Sequence, residues 1–420
     1  MTNNGNNISS NQKIQPIVCV GFPRWEGTSY LSSTVQLMSE LAKSHPVLYV
    51  DYPFTFKDIW TAKKHKNTGI PLDELTGKAP VLQERILKNG HNIHLLRLPP
   101  FLPANFLKSP IIYDQIMAWN GKKAQKSILK TLDTLGWEAP IVINAFNPAL
   151  GNALAGKLGE NQLIYYCYDE IGAAPWIGRH GARHERIFLR KVDQTIVSST
   201  GLYTSKKKLT KVCSIVKNGV DLSIFSARGE RPSDLPKGLI IGYIGSVDDR
   251  LDYDLLEAVA QTYSHAHLVL LGRIMNEAAA ENLSKLNNVH ILGARPIEEL
   301  GNYLQAFDVG LIPFVENDLT AGIYPLKINE YLALGLPVVS THFADLSDFA
   351  GICAIANDHA HFIQKINIAL QDNNPITISE RKAFAGQNTW AGRAIEFSKL
   401  IYKKTEVIHK KTDLQTTITT

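Results

Sequence analysis

Short apolar runs alternate with amphipathic segments along the whole chain. In the first half, strands are predicted over 16–22, 47–50, 93–98, 141–145, 163–168 and 195–198. In the second half, they are predicted over 239–245, 267–271, 289–292, 307–313 and 336–339. Helices are predicted between the strands, among others over 29–43, 253–262 and 359–370. Strands and helices that alternate in this way form parallel sheets with helices on both faces. We therefore predict an α/β fold with doubly wound sheets.

The length of the chain predicts two domains. Its 420 residues, 45% of them hydrophobic, exceed one ordinary core and suit two domains of about 200 residues each. A hinge is predicted at the turn pair Asn218-Gly219, which tolerates positive φ; an ordinary tight turn is the alternative. We accordingly predict a first domain over 15–215, a second domain over 216–389, and disordered ends over 1–14 and 405–420.

The sequence shows neither a targeting nor a membrane-spanning pattern. The stretch MTNNGNNISSNQK lacks the basic and apolar regions of a signal peptide. No window holds the roughly 18 uninterrupted apolar residues of a transmembrane helix. Four scattered cysteines lie in or beside apolar runs, as buried thiols in a reducing compartment do. We expect a cytoplasmic protein.

The two halves of the chain carry opposite net charges. Residues 1–215 hold 26 Lys and Arg against 15 Asp and Glu, a net charge of +11, which leaves −6 for residues 216–420. Such a charge asymmetry indicates what a protein binds rather than how it folds. Nucleic acid is not expected, because the sequence has no zinc-finger or RNP pattern. An anionic membrane surface explains the basic half more simply.

Two stretches of the basic half mix lysines with apolar residues. Residues 53–66 read PFTFKDIWTAKKHK, and a helix around 122–135 has lysines on one side and Ile128, Leu132 and Leu135 on the other. This composition suits binding at a membrane interface, although ordinary cover for a core is the alternative. We expect peripheral contact with the inner face of the plasma membrane through 53–66 and 122–135.

The segment 307–340 combines a buried strand, a polar loop, a helix start and a second buried strand. Pro325 presets φ for the first turn of that helix, and Gly335 is a natural residue to end it. A helix start that faces the carboxyl edge of a parallel sheet is a ready anion site. Lys327 opposes the helix dipole, so we interpret it as a ligand for phosphate rather than as a helix residue.

The run PLKINEYLALGLPVVS in this segment resembles the nucleotide-sugar site of GT-B glycosyltransferases. The resemblance is to bacterial polysaccharide enzymes related to family 4, including the teichuronic acid type. It implies two Rossmann-like domains that face a central cleft, with the acceptor on the first and the donor on the second. It also implies that a last helix, 390–404, returns to the first domain.

The resemblance implies a set of donor-binding residues. They are Gly245, Ser246, Arg250, Thr320, Gly322, Tyr324, Pro325, Leu326, Lys327 and Glu330. Lys327 and Arg250 would bind the diphosphate, and Glu330 would bind the ribose hydroxyls. Two alternatives remain open: Lys327 and Glu330 could pair on a solvated helix face, and Asp248, Asp249 and Arg250 could form a surface ion-pair loop.

One position departs from the family pattern. Many retaining family-4 enzymes have Glu-x7-Glu, and counting back from Glu330 reaches Gly322. The first acid is therefore absent, so Thr320 or Asp318 is expected to bind the sugar hydroxyls instead. The stereochemical course of the reaction does not carry over.

The acceptor side of the cleft is predicted from three strand ends. Asp169 follows the strand 163–168, where a carboxylate can take a proton from an acceptor hydroxyl; capping of the next segment is the alternative. Gly27 and Thr28 lie in the first strand-to-helix loop, and Asn147 follows the strand 141–145. Glu185 is a weaker candidate.

Together these features predict a glycosyltransferase that moves a sugar from a nucleotide-diphosphate sugar to a lipid-linked or polysaccharide acceptor. The scheme requires no metal and no further cofactor. Two alternatives stay open, a sugar-nucleotide epimerase of the same fold and a non-catalytic GT-B-like binding protein, the latter because the first Glu is absent.

Overall fold

The computed structural model describes residues 14–26, 32–65, 69–173, 177, 179–226, 229–372 and 374–402. Within these residues the chain forms two α/β domains, each built on its own sheet. The predicted ends, apart from Ile14, lie outside the described residues, as do Gly27 and Thr28.

The first sheet has eight strands. They are β1 (Ile17–Gly21), β2 (Val47–Val50), β3 (Leu82–Ile86), β4 (Asn92–Leu96), β5 (Ile141–Ala145), β6 (Gln162–Cys167), β7 (Gln194–Val197) and β8 (Cys213–Ile215). Their order is β3-β4-β2-β1-β5-β6-β7-β8. Only β3 runs antiparallel, against β4. Strands β1, β2, β5, β6 and β7 are buried along their whole length, as strands covered on both faces must be.

The second sheet has six parallel strands. They are β9 (Ile240–Ile244), β10 (His267–Leu271), β11 (Val289–Gly293), β12 (Val309–Ile312), β13 (Val338–Thr341) and β14 (Ala354–Ala356). Their order, β11-β10-β9-β12-β13-β14, is that of a Rossmann sheet. The order reverses between β9 and β12, and ligands bind such sheets beyond the carboxyl ends of the strands at this point.

Helices cover both faces of the two sheets. In the first domain they are α1 (Ser33–Leu41), α2 (Phe56–Lys64), α3 (Leu72–Leu75), α4 (Pro110–Leu135), α5 (Pro148–Leu154), α6 (Gly181–Leu189) and α7 (Thr200–Lys206). In the second they are α8 (Leu222–Phe225), α9 (Tyr253–Thr262), α10 (Glu277–Leu283), α11 (Leu300–Leu304), α12 (Leu326–Ala333), α13 (His359–Leu370) and α14 (Pro375–Gln387). Among the described residues, no helix is long and apolar enough to cross a membrane.

The predicted alternation of strands and helices is confirmed. Every strand predicted from an apolar run is present, with ends shifted by no more than two residues. Sequence analysis missed β3, β14 and α14. Strand β3 lies at the antiparallel edge of its sheet and has no buried residue, so it contains no apolar run that would predict it.

The chain crosses between the domains twice, and the two crossings touch. Val220 N donates to Asn388 O (2.9 Å), and Trp390 N donates to Val220 O (3.3 Å). Neither Asn218 nor Gly219 adopts the positive φ that this turn pair tolerates. Glycine is needed there for a different reason, because a methyl group on Gly219 would lie 2.6 Å from Trp390 N.

After the second crossing, the helix 390–402 packs on the first domain. Trp390, Phe397 and Ile401 are buried in the same apolar cluster as β1, β2 and β5. The ring of Phe397 meets that of Tyr166 edge to face, with centroids 5.8 Å apart. The last described helix therefore completes the core of the first domain.

Candidate active site

Helix α12 provides the candidate donor site. Pro325 is its N-cap, with φ −75° and ψ 99°, so it lies one position before the first turn in which we predicted it. The helix ends as predicted: Gly335 has φ 79°, and its N–H donates to Leu332 O (2.9 Å). Leu336 N also donates to Tyr331 O (3.1 Å), which completes a Schellman turn.

The side chain of Lys327 crosses the end of β9. A methyl group on Gly245 would collide with Lys327 Cε, and Gly245 has φ 143°. Both observations require glycine here. Burial lowers the pKa of Lys327 and raises that of Glu330, while the charge of each residue opposes the shift of the other. Both residues are only partly buried, so they lie close together on a helix face that is partly covered by the protein.

Arg250 is held in place by Asp248. Its Nε lies 2.9 Å from Asp248 Oδ1, and its Nη2 lies 2.6 Å from Asp248 Oδ2. The guanidinium carbon lies 5.7 Å from the ring centroid of Phe314. The ion-pair loop considered from sequence thus forms between these two residues, whereas Asp249 accepts from Asn276 Nδ2 (2.7 Å) instead.

Asp169 lies just past the end of β6. Burial raises the pKa of Asp169 to about 6, and the positive charge of Arg250 opposes that shift. The alternative role for Asp169 was to cap the turn that follows. Glu170 caps this turn instead, since its Oε1 accepts from Gly172 N (3.3 Å). A carboxylate of the first domain and a cation of the second therefore lie within range of each other's charge.

The side chains of three predicted donor residues have partners within the protein. Thr320 is fully buried and donates to Val315 O (2.6 Å), so its hydroxyl shapes its own loop and does not face a sugar. The ring of Tyr324 is buried, with its centroid 5.4 Å from that of Phe349. Leu326 packs against the apolar cluster of the first domain. These side chains build the loop and the domain contact rather than a ligand surface.

Gly322, which stands where the family has its first Glu, contacts the first domain. Its carbonyl accepts a hydrogen bond from Ser199 Oγ (2.6 Å). A methyl group at this position would lie 3.4 Å from Glu170 Cβ and from Leu202 Cδ2. A side chain longer than a methyl group would therefore press on the first domain.

The first-domain side of the cleft contains a groove of about 300 Å³. Among its lining residues are Phe22, Tyr52, Phe101, Met117, Phe146 and Asn147. Asn147 Oδ1 caps α5 by accepting from Leu150 N (3.4 Å). Phe146 has φ 60°, a conformation that bulky residues rarely adopt, and its ring stacks on Tyr168 with centroids 4.7 Å apart.

Sequence analysis missed the residues that join the domains and support Asp169. Ser199 and Gly201 follow β7. The sequence Ser-Thr-Gly after a strand is a helix-cap signal, from which the start of α7 could have been predicted. Lys206 begins a run of three lysines, which reads as an exposed charge run, yet it is buried. Among the described residues, no group of three or more His, Cys, Asp or Glu could hold a metal ion.

A comparison with protein families finds a match in the second domain. Residues 238–372 match the family described as Glycosyl transferases group 1. The second domain therefore resembles a group 1 glycosyltransferase domain. Over 216 residues, the chain is 29% identical to TuaH from Bacillus subtilis, described as a putative teichuronic acid biosynthesis glycosyltransferase. That match covers 46% of this chain and 54% of TuaH, so the chain spans about half the length of this relative.

Solved structures resemble almost the whole chain. Sucrose-phosphate synthase from Thermosynechococcus elongatus has a TM-score of 0.67 at 16% identity, covering 94% of this chain and 100% of that one. HepE from Anabaena, in complex with UDP and glucose, has a TM-score of 0.62 at 13% identity, covering 92% and 99%. The region that resembles the group 1 family is thus the second half of a GT-B fold, as predicted.

Proposed function

We propose that this protein transfers a sugar from a nucleotide-diphosphate sugar to an acceptor hydroxyl, with Asp169 as the base. The observation that carries this proposal is the convergence of three charged groups on one cleft. The charge of Arg250 acts on both Asp169 and Lys327, although Asp169 belongs to the other domain. A base and two phosphate-binding cations are therefore within electrostatic reach of one another.

The reaction follows from these positions. Asp169 takes the proton of the acceptor hydroxyl while the acceptor oxygen bonds to the anomeric carbon. The bond from that carbon to the diphosphate oxygen breaks, and the diphosphate leaves with the electron pair. Lys327 and Arg250 stabilise the charge that develops on it, and Glu330 binds the ribose. The scheme uses no metal and no cofactor.

The donor is tested by thermal shift against UDP-, GDP-, ADP- and dTDP-sugars. UDP-sugars come first because HepE was solved with UDP and glucose. A matching sugar nucleotide at 100 times its Kd should stabilise the protein by about 2.7 kcal/mol. If no nucleotide shifts the melting temperature, the proposal is wrong. A shift without transfer to lipid extracts would favour a binding protein, and conversion of the free nucleotide sugar would favour an epimerase.

The proposed acceptor is a lipid-linked saccharide or a growing polysaccharide at an anionic membrane surface. Support comes from an aromatic-basic patch formed by Phe56, Trp60 and Lys64 on α2 and by Trp119 and Lys123 on α4. Lys64 Nζ lies 3.6 Å from the Trp60 ring centroid, and Lys123 Nζ lies 4.0 Å from that of Trp119. Lys123 also lies 5.7 Å from the Phe56 ring, so the patch joins both predicted stretches.

The three aromatic side chains of the patch are exposed to 41–59%. On the opposite side of α4, Ile128 and Leu132 are buried in the first-domain core. The helix therefore covers a core, as the alternative held, and still presents lysines outward. Phe54, counted among the membrane residues from sequence, is buried and lies under Arg24 instead.

Neutralising the patch should release the protein from anionic vesicles. Each lysine near such a surface adds about 1 kcal/mol, so Lys64→Gln with Lys123→Gln should weaken partitioning about 30-fold. Co-sedimentation with phosphatidylglycerol vesicles measures it. The control pair, Lys208→Gln with Lys211→Gln, removes the same charge from the same domain away from the patch. Equal losses in both pairs, or none in either, would refute a membrane role for the patch.

A further inference from the structure

Helix α7 touches the donor loop of the second domain at its first turn. Ser199 Oγ accepts from Leu202 N (3.1 Å) and donates to Gly322 O (2.6 Å). A methyl group on Gly201 would collide with the carbonyl oxygen of Ala321. The start of α7 therefore packs closely against the turn Thr320–Gly322.

The other end of α7 carries a buried lysine with two acidic partners. Lys206 is 4% exposed, and its Nζ lies 2.6 Å from Glu170 Oε1 and 2.7 Å from Glu185 Oε2. Tyr165 OH donates to Glu185 Oε1 (2.9 Å). Taking such ions out of water is costly, and apolar residues of similar size stabilise a core equally well. Stability alone therefore does not account for this cluster.

The cluster anchors the residue next to the candidate base. Glu170 accepts from Lys206 Nζ and from Ser205 Oγ (3.2 Å), so α7 fixes its carboxylate. On the other side, Cys167 Sγ donates to Asp169 O (3.3 Å). The backbone that carries Asp169 is therefore held from both directions, and one of these anchors is Lys206.

We propose that Lys206 is a positioning residue for Asp169, and that α7 links docking of the donor loop to placement of the base. Seven residues at 1.5 Å each make α7 about 10 Å long, so its start and its end reach the two halves of the cleft. This inference rests on the proposed function, since it assigns Lys206 a role relative to the base.

The test compares Lys206→Met with Lys207→Met, which removes an exposed lysine at the C-cap of the same helix. We expect Lys206→Met to lower kcat about 100-fold, as small misplacements of reacting groups do, with the donor Kd within about twofold of the parent. The acidic limb of its pH–rate profile should move to higher pH, because an uncompensated carboxylate raises the pKa of Asp169. The charged or titratable groups that face Lys206 or Asp169 are Glu170, Glu185, Cys167, Tyr165, Tyr166 and Arg250.

The control, Lys207→Met, should match the parent in kcat and in pH profile. If Lys206→Met also keeps its kcat within about threefold, or if its pH profile superimposes on that of the parent after scaling, the positioning role is wrong. Should Lys206→Met fail to fold, the double variant Lys206→Met with Glu185→Gln removes both charges of the buried Lys206–Glu185 pair and should show the same loss of kcat. Its acidic limb should still move to higher pH, because Glu170, next to Asp169, has lost its cation. If the unsubstituted protein transfers no sugar from any sugar nucleotide, the proposed function is wrong instead.

Discussion

Asp169→Asn is expected to lower turnover by about 100- to 10,000-fold, the range that a positioned general base contributes. The amide cannot take a proton, yet its shape is nearly that of the carboxylate, so the donor Kd should not change. Single-turnover transfer and nucleotide titration measure the two effects separately. Asp133→Asn, on the exposed side of α4, is the matched control.

The pH dependence gives a second readout for Asp169. Because its pKa is raised to about 6, transfer by the parent should fall as the pH drops through about 6. The raised pKa also means that ionised Asp169 destabilises the fold, a cost that is absent at low pH and grows as the pH rises through that value. The melting temperature of Asp169→Asn should therefore be higher than that of the unsubstituted protein at pH 7.5. Near pH 3 the two melting temperatures should be equal. Full turnover in this variant would show that Asp169 is not the base.

Lys327→Ala should weaken the binding of a nucleoside diphosphate and slow transfer, each by about 100- to 1,000-fold, as loss of one preorganised donor does. Lys327 is partly buried and burial lowers its pKa, so its charge is screened less than in open water and a diphosphate gains from it. Isothermal titration with UDP and with uridine separates phosphate binding from base binding. Only the UDP affinity should fall.

Lys285→Ala serves as the control for Lys327→Ala, since Lys285 lies exposed in the same domain. Equal losses of UDP and uridine affinity in Lys327→Ala would mean that the lysine supports the fold of the site rather than the phosphates. Arginine should not rescue the variant fully, because the lysine side chain already passes against Gly245 without spare room.

Much of the fold was predictable because its signals are local. Strands such as β12 and β13 are buried on both faces and therefore appear as uninterrupted apolar runs. The end of α12 was equally clear, since Gly335 adopts the positive φ that a Schellman turn needs. Strand β3 gave no such signal, because an exposed edge strand needs no apolar run.

The candidate site was predictable only where its chemistry lies in one segment. Lys327 and Glu330 share a helix, so their neighbourhood followed from the sequence. The burial of Lys206 depends on Glu170 and Glu185, which lie 36 and 21 residues away along the chain. The loss of Thr320 as a ligand likewise depends on how its loop closes on Val315. Contacts of this kind are set by tertiary packing, which leaves no periodic trace in the sequence.

The paired crossings at Val220 and Asn388 make the second domain an insertion within the first. The isolated domains should therefore be obtained by looping out rather than by truncation. A chain cut after β8 would lose the helix 390–402 and expose the apolar surface that Trp390, Phe397 and Ile401 cover. Because Val220 and Asn388 are hydrogen-bonded neighbours, a short peptide joining these two points would delete the second domain and keep the first core intact.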